Sequence, residues 1–177
     1  MTEMNKIPAH GSNVERAQIP VSCKWHVQDI YAGEAAWQAA CAEYKALLPK
    51  LSALKGQLTT AAKLLEALRV QDELARFLDK IYAYARLQQD ADNTDQHMQA
   101  LSGEAEGLAA QFSNVLSFVE PELLALGKEK VEAMLDEEPQ LAEYRFYIEN
   151  MLRLEAHVLS ADKEAIAAQS RLATVLS

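Results

Sequence analysis

The chain has 177 residues, half of them hydrophobic and 24% charged, a balance that excludes a disordered polymer and allows a substantial buried core. Its formal net charge of −9, with no dense Lys/Arg cluster, repels phosphates and anionic lipid and so excludes nucleic acid and membrane surfaces as expected partners. Six Gly and five Pro leave few turns in a text rich in Ala, Leu, Glu, Gln and Lys. The expected fold class is all-α, an antiparallel helical bundle or hairpin array of about six helices with an irregular N-terminal arm.

Residues 1–20 mix polar residues with Pro8, Gly11 and Pro20 and show no period, which predicts a flexible leader. They lack the apolar stretch of a secretory signal, and no later run approaches a membrane span, so a cytoplasmic location is expected. Cys23 and Cys41 form no CxxC pattern and are expected as small buried or partly buried residues, which suits a reducing compartment. The segment from Lys24 through Trp25, His26 and Val27 to Tyr31 is too apolar for a free tail and is expected to lie extended on helices.

From Glu34 the positions Trp37, Cys41, Tyr44, Leu48 and Leu51 recur in steps of four and three, one face of a helix in which Pro49 predicts a kink or a break. Thr59 or Thr60 can cap a second helix carrying Leu64, Leu65, Leu68, Leu74, Ala75, Leu78, Ile81, Tyr82 and Ala85. The polar run Asp90 to Asp95 ends that helix, and Thr94 or Asp95 caps a third with Leu101, Ala105, Leu108, Phe112 and Val115 on one face. On this third helix Gly103, Gly107, Ala109 and Ala110 are expected to admit a close neighbour. Glu120 and Pro121 start a fourth helix that Gly127 closes, and Pro139 starts a fifth bearing Tyr144, Tyr147, Ile148, Met151 and Leu152. Ser160 and Asp162 start a last helix with no stop signal after Leu172 to Leu176, so a cut at Ser177 is expected.

Chemistry-bearing patterns are sparse. A helix-borne zinc site needs two imidazoles four residues apart beside a carboxylate, and no HExxH occurs; His10, His26, His97 and His157 are each solitary. His97 falls in a first helical turn, where an exposed polar role is expected, and His157 near a helix end, where capping is expected. Asp90, Asp92 and Thr94 imitate the first positions of a calcium loop, but Asp95 stands where glycine is needed and Leu101 where a bidentate glutamate is needed. No Glu-x-x-His pair, phosphate loop or GxSxG elbow is present, and Cys41 lies on a core stripe. Trp25, Trp37, Tyr44, Tyr82, Tyr84, Tyr144, Phe146 and Tyr147 suit either a peptide groove or the core, with core packing the stronger expectation. Tyr82 and Tyr84, two apart, cannot share a helix face, so one of them is expected to look outward. No catalytic, cofactor-binding or metal-binding residue is assigned.

The order of segments resembles oligoendopeptidase F and related thimet-type zinc oligopeptidases. Its carriers are Lys24-Trp25-His26-Val27-Gln28-Asp29-Ile30-Tyr31, then Lys80-Ile81-Tyr82-Ala83-Tyr84-Ala85-Arg86-Leu87 with Asp90, Asp92, Thr94 and Asp95. Phe118-Val119-Glu120-Pro121-Glu122-Leu123, Tyr144-Arg145-Phe146-Tyr147-Ile148-Glu149 and Arg153-Leu154-Glu155-Ala156-His157-Val158-Leu159-Ser160 with Glu164 complete the set. The resemblance implies that residues 21–177 form the helical N-terminal lobe of a larger peptidase, walling a channel that admits short peptides. It also implies that zinc and the catalytic glutamate belong to a C-terminal catalytic domain beyond Ser177. On that reading this chain carries no cofactor, is inactive alone, has the missing catalytic domain and short peptides as partners, and can self-associate through exposed apolar surface. The alternative is a self-contained helical protein–protein interaction module.

Overall fold

The computed structural model describes residues 19–155, which hold six α-helices, three short 3₁₀ segments and no strand. The all-α expectation therefore holds among the described residues. They form two compact units: the first takes those up to Ala53 together with Val70–Leu116, the second takes Leu54–Arg69 and those from Ser117 onward. The leader, apart from its last two residues, and the helix expected after Ser160 lie outside the described residues.

In the first unit, α1 spans Glu34–Ser52 and buries Trp37, Ala40, Cys41, Tyr44, Leu48 and Leu51, the stripe that its four-three spacing predicts. The break expected at Pro49 does not occur. Pro49 is exposed in the last turn, where its missing N–H costs one bond to the preceding turn, and the helix runs on to Ser52. Helix α2, Ala61–Ala91, contributes to this unit from Val70 on. The Trp37 indole N–H donates to the Ile81 carbonyl at 2.9 Å, and the Trp37 ring stacks on Tyr84 with centroids 6.2 Å apart. Seven residues along α1, Tyr44 meets Phe77 edge-on at 5.7 Å, so α1 and α2 run antiparallel.

Helix α3, Gln96–Leu116, follows a tight turn in which Asp92 Oδ1 accepts from the Thr94 amide and hydroxyl. Asp95 is the cap: its Oδ1 accepts from the amides of His97 and Met98, two of the orphan donors of a helix start. Glu34 meets His97 and Lys45 meets Glu104, an ascending order on both helices, so α3 runs parallel to α1 and the unit is an up-down-up array. Where α1 and α3 approach, the buried α3 residues are Leu101, Ser102, Ala105 and Leu108. Gly103 and Gly107, expected at a close contact, instead face open space, and a Cβ at either would meet nothing within 4 Å. The small residues at the seam are Ser102 and Ala105.

The N-terminal arm is not extended as expected. It winds into 3₁₀ turns at Val21–Cys23 and Val27–Asp29, the second fixed by amides of Asp29 and Ile30 bonding back to His26 and Val27. Val27 is buried and Tyr31 meets Tyr84 edge-on at 5.7 Å, which secures the arm on α2. Cys41 is buried, whereas Cys23, expected to be at least partly buried, is exposed.

In the second unit, Thr60 caps the start of α2 by accepting from the Lys63 amide at 3.3 Å. Helix α4, Val119–Leu126, begins two residues before Pro121 and ends at Gly127, whose φ of 79° suits a residue without Cβ. The same glycine precedes α5, Lys128–Glu137, a helix absent from the sequence expectation. Pro139 opens a 3₁₀ segment, Pro139–Tyr144, rather than an α-helix, with Glu138 accepting from the Gln140 amide; α6 then spans Arg145–Glu155. Leu123, Val131, Leu141 and Ile148 are fully buried, and α4 lies against α5 and α6. The Arg69 guanidinium donates to the Gln140 side chain, and Glu122 Oε1 accepts from the Gly56 amide at 2.6 Å.

Candidate functional site

Among the described residues, the histidines and the calcium-loop carboxylates weighed for chemistry have local partners, and Cys41 has a core position. His97 is exposed, as expected, with Nε2 2.8 Å from Glu34 Oε2; that hydrogen bond chiefly, with the Glu34 and Asp95 charges, holds its imidazole above the ordinary range. His26 Nδ1 lies 2.8 Å from Asp29 Oδ1 on the exposed arm. Asp90 pairs with Arg86 at 3.2 Å, and Asp92 serves the turn, so the calcium-loop positions are engaged in capping and pairing. His10 and His157 lie outside the described residues.

Cys41 is buried and held as a thiol at neutral pH, which makes it a poor nucleophile. Burial first, then the Glu104 carboxylate, pushes its thiol up to about 11, and the Lys45 ammonium offsets only part of this. Among the described residues no group of three or more His, Cys, Asp or Glu side chains could hold a metal ion. The described residues therefore do not supply a donor set for the zinc that the resemblance assigns to a domain beyond Ser177.

Of the aromatic set, Trp37, Tyr44 and Tyr84 are core, while Trp25, Phe146 and Tyr147 are exposed. Tyr84 is buried and Tyr82 half-buried, as their separation of two requires. The concave surface of the first unit lies where the arm runs along α2. One depression, about 770 Å³, has Ile30, Tyr31 and Phe77 as its apolar lining and Glu73, Arg76, Asp79 and Lys80 as its charged lining. A second, about 300 Å³, is lined by Trp25, His26, Val27, Ile30 and Leu87, and a third, about 220 Å³, by Cys23, Lys24, Trp25, Asp90 and Ala91. As arm numbers fall from 31 to 23, α2 numbers rise from 73 to 91, so the depressions follow the arm antiparallel to the helix.

This surface combines an apolar floor with charged groups at its edge. Burial, with smaller contributions from Cys41 and Glu43, raises the Tyr31 phenol, which keeps it a neutral hydrogen-bond donor. Arg76 is held to Asp72, through its carbonyl at 3.2 Å and its carboxylate at 3.7 Å. Sequence reasoning named the arm but missed Glu73, Arg76 and Lys80. Their spacing of three and four on the polar side of α2 was the available signal.

A sequence model of the family described as Oligopeptidase F matches residues 122–174. Oligopeptidase PepF of Bacillus subtilis is 31% identical over 157 residues, 88% of this chain and 23% of that protein. Group B oligopeptidase PepB of Streptococcus agalactiae is 31% identical over 86% of this chain and 26% of its own length. The crystal structure of oligoendopeptidase-F from Enterococcus faecium superposes with a TM-score of 0.64 at 32% identity, covering 77% of this chain and 27% of that one. A solved chain from Chlamydophila abortus gives a TM-score of 0.75 at 31% identity over 88% of this chain and 26% of its own. The chain thus spans about a quarter of the length of the relatives it matches. In sequence, in fold and in the segment matched, the chain corresponds to the N-terminal region of longer oligoendopeptidase F proteins.

Proposed function

We propose that this chain is the helical N-terminal lobe of a zinc-dependent oligoendopeptidase that hydrolyses short peptides. These helices form part of the wall of the substrate channel and leave the chemistry to a C-terminal catalytic domain, so the lobe is inactive by itself. The observation that carries this reading is the unequal coverage: 88% of this chain aligns with only 23% of the Bacillus subtilis relative. The sequence contains no HExxH motif, which is consistent with a metal site carried elsewhere in the longer protein. A cytoplasmic setting is part of the proposal, supported by two free thiols and by the finding that no described helix is long and apolar enough to cross a membrane.

The test is to purify this chain, measure bound zinc by elemental mass spectrometry, and incubate it with zinc and short unstructured peptides followed by liquid chromatography. Substoichiometric metal and intact peptides are expected. Zinc-dependent cleavage by this chain overturns the proposal.

A second reading, a self-contained helical interaction module, draws on the exposed aromatic side chains Trp25, Phe146 and Tyr147. Reading the genome past Ser177 separates the two. A stop codon favours the module, and several hundred further codons containing HExxH favour the peptidase lobe.

A further inference from the structure

Helix α6 presents two faces of opposite character. Ile148, Met151 and Leu152 are buried, whereas Phe146 is 81% exposed and Tyr147 is 40% exposed. Phe146 shares its face with Glu149, Asn150 and Arg153, three, four and seven residues on, so it contributes nothing to the core of its own unit. The polar groups beside it are already engaged within the chain. Arg145 bonds Asp136 and Glu149, each at 3.4 Å, and Arg153 donates to Asn150 at 2.8 Å. An aromatic anchor ringed by polar groups that keep their partners when water leaves is the composition of an interface centre and its rim.

What covers it follows from the length of the relatives. The chain accounts for 23% of the Bacillus subtilis protein and 27% of the Enterococcus faecium chain, so about three quarters of such a polypeptide lies outside these residues. The α6 segment also falls inside the stretch, 122–174, that the family's sequence model matches. We infer that the Phe146–Tyr147 face of α6 is the surface on which the remaining polypeptide of the longer protein docks, an inference that rests on the lobe reading above. The docking surface on that polypeptide is an apolar pocket that receives the Phe146 ring, with hydrogen-bonding groups at its edge for the Tyr147 phenol.

The experiment introduces Phe146→Ser with Tyr147→Ser into this chain and into the longer polypeptide that carries it, and reads thermal melting and limited proteolysis. In this chain alone the melting temperature is expected to fall only modestly, since Phe146 is largely solvated and Tyr147 is partly so, and Phe146→Ser by itself is expected to leave it unchanged. In the longer polypeptide, cleavage between lobe and remainder is expected to accelerate on the order of tenfold, as the docked state opens more often. An unchanged proteolysis rate there overturns the inference. So does a dimer of this chain that the double variant dissolves, which makes a second copy the occupant, and so does a stop codon directly after Ser177. Peptide hydrolysis is not the readout, so a longer protein without peptidase activity would sink the proposed function and leave the docking surface standing.

Discussion

Nε2 of His97 lies 2.8 Å from Oε2 of Glu34, tying the first turn of α3 to the first turn of α1. A helix start disfavours an imidazolium, so the raised proton affinity of His97 is the work of the carboxylates beside it, Glu34 first and Asp95 after it. The folded pKa is raised, so the pair's contribution to stability is fully present below the ordinary imidazole range and is lost as pH rises through the raised value. Glu34→Gln is expected to lower the His97 pKa in an NMR titration. The melting temperatures of the variant and the parent chain should converge as pH rises from below the ordinary imidazole range to above the raised value. A gap that persists at the alkaline end would show that Glu34 acts through something other than the charged imidazole.

Trp37 is fully buried and its indole N–H reaches the Ile81 carbonyl, so it joins α1 to α2 through area and through one directed bond. Trp37→Ala is expected to cost about 3–5 kcal/mol in urea unfolding, and Trp37→Phe about 1–2 kcal/mol, since the latter keeps most of the ring and loses the donor. Equal losses for the two would mean that packing counts for little at this site.

The Tyr44 hydroxyl is buried with no hydrogen-bonding partner among the described residues, and burial pushes its phenol up to about 12. An unpaired buried hydroxyl is a standing cost, so Tyr44→Phe should leave stability unchanged or raise it by about 1 kcal/mol. A loss of more than about 1 kcal/mol would reveal a partner such as an ordered water.

The two thiols should part company under alkylation. Cys23 is exposed, whereas Cys41 is buried and held as a thiol at neutral pH. Iodoacetamide at about pH 8 is expected to label Cys23 alone in the native chain and both in urea, as read by peptide mass spectrometry. Native labelling of Cys41 at a comparable rate would contradict the packing of α1.

Glycines offer a paired test with opposite signs. Gly127 sits at φ +79° with open space around it, so Gly127→Ala meets backbone strain without a clash and should cost about 1–2 kcal/mol. Gly103 lies inside α3 with nothing within reach of a Cβ, and Gly103→Ala should stabilise by about 0.5–1 kcal/mol. Thermal melts of the two variants moving in the same direction would defeat this account.

The helices were legible wherever burial and periodicity agreed. Trp37, Cys41, Tyr44, Leu48 and Leu51 announce α1 because one face of it is buried throughout. Helix α5 went unseen because only Val131, Met134 and Leu135 mark it, between a glycine and a proline that both read as boundaries. Gly103 and Gly107 misled because size says how near a neighbour can come and not whether one is there. The depression beside Tyr31 was half legible: aromatic residues flagged the arm, but which charges of α2 surround it depends on where the arm lies, a tertiary fact that no local pattern carries.

Gly127 is the whole of the connection between α4 and α5, serving as the end of one and the entry to the other. With no slack on either side, one inserted residue would turn α5 by about 100° about its axis and swing Val131, Met134 and Leu135 toward water. Natural length variation should therefore collect at exposed loop positions such as Lys55, Gly56 and Gln57 rather than at this one-residue joint.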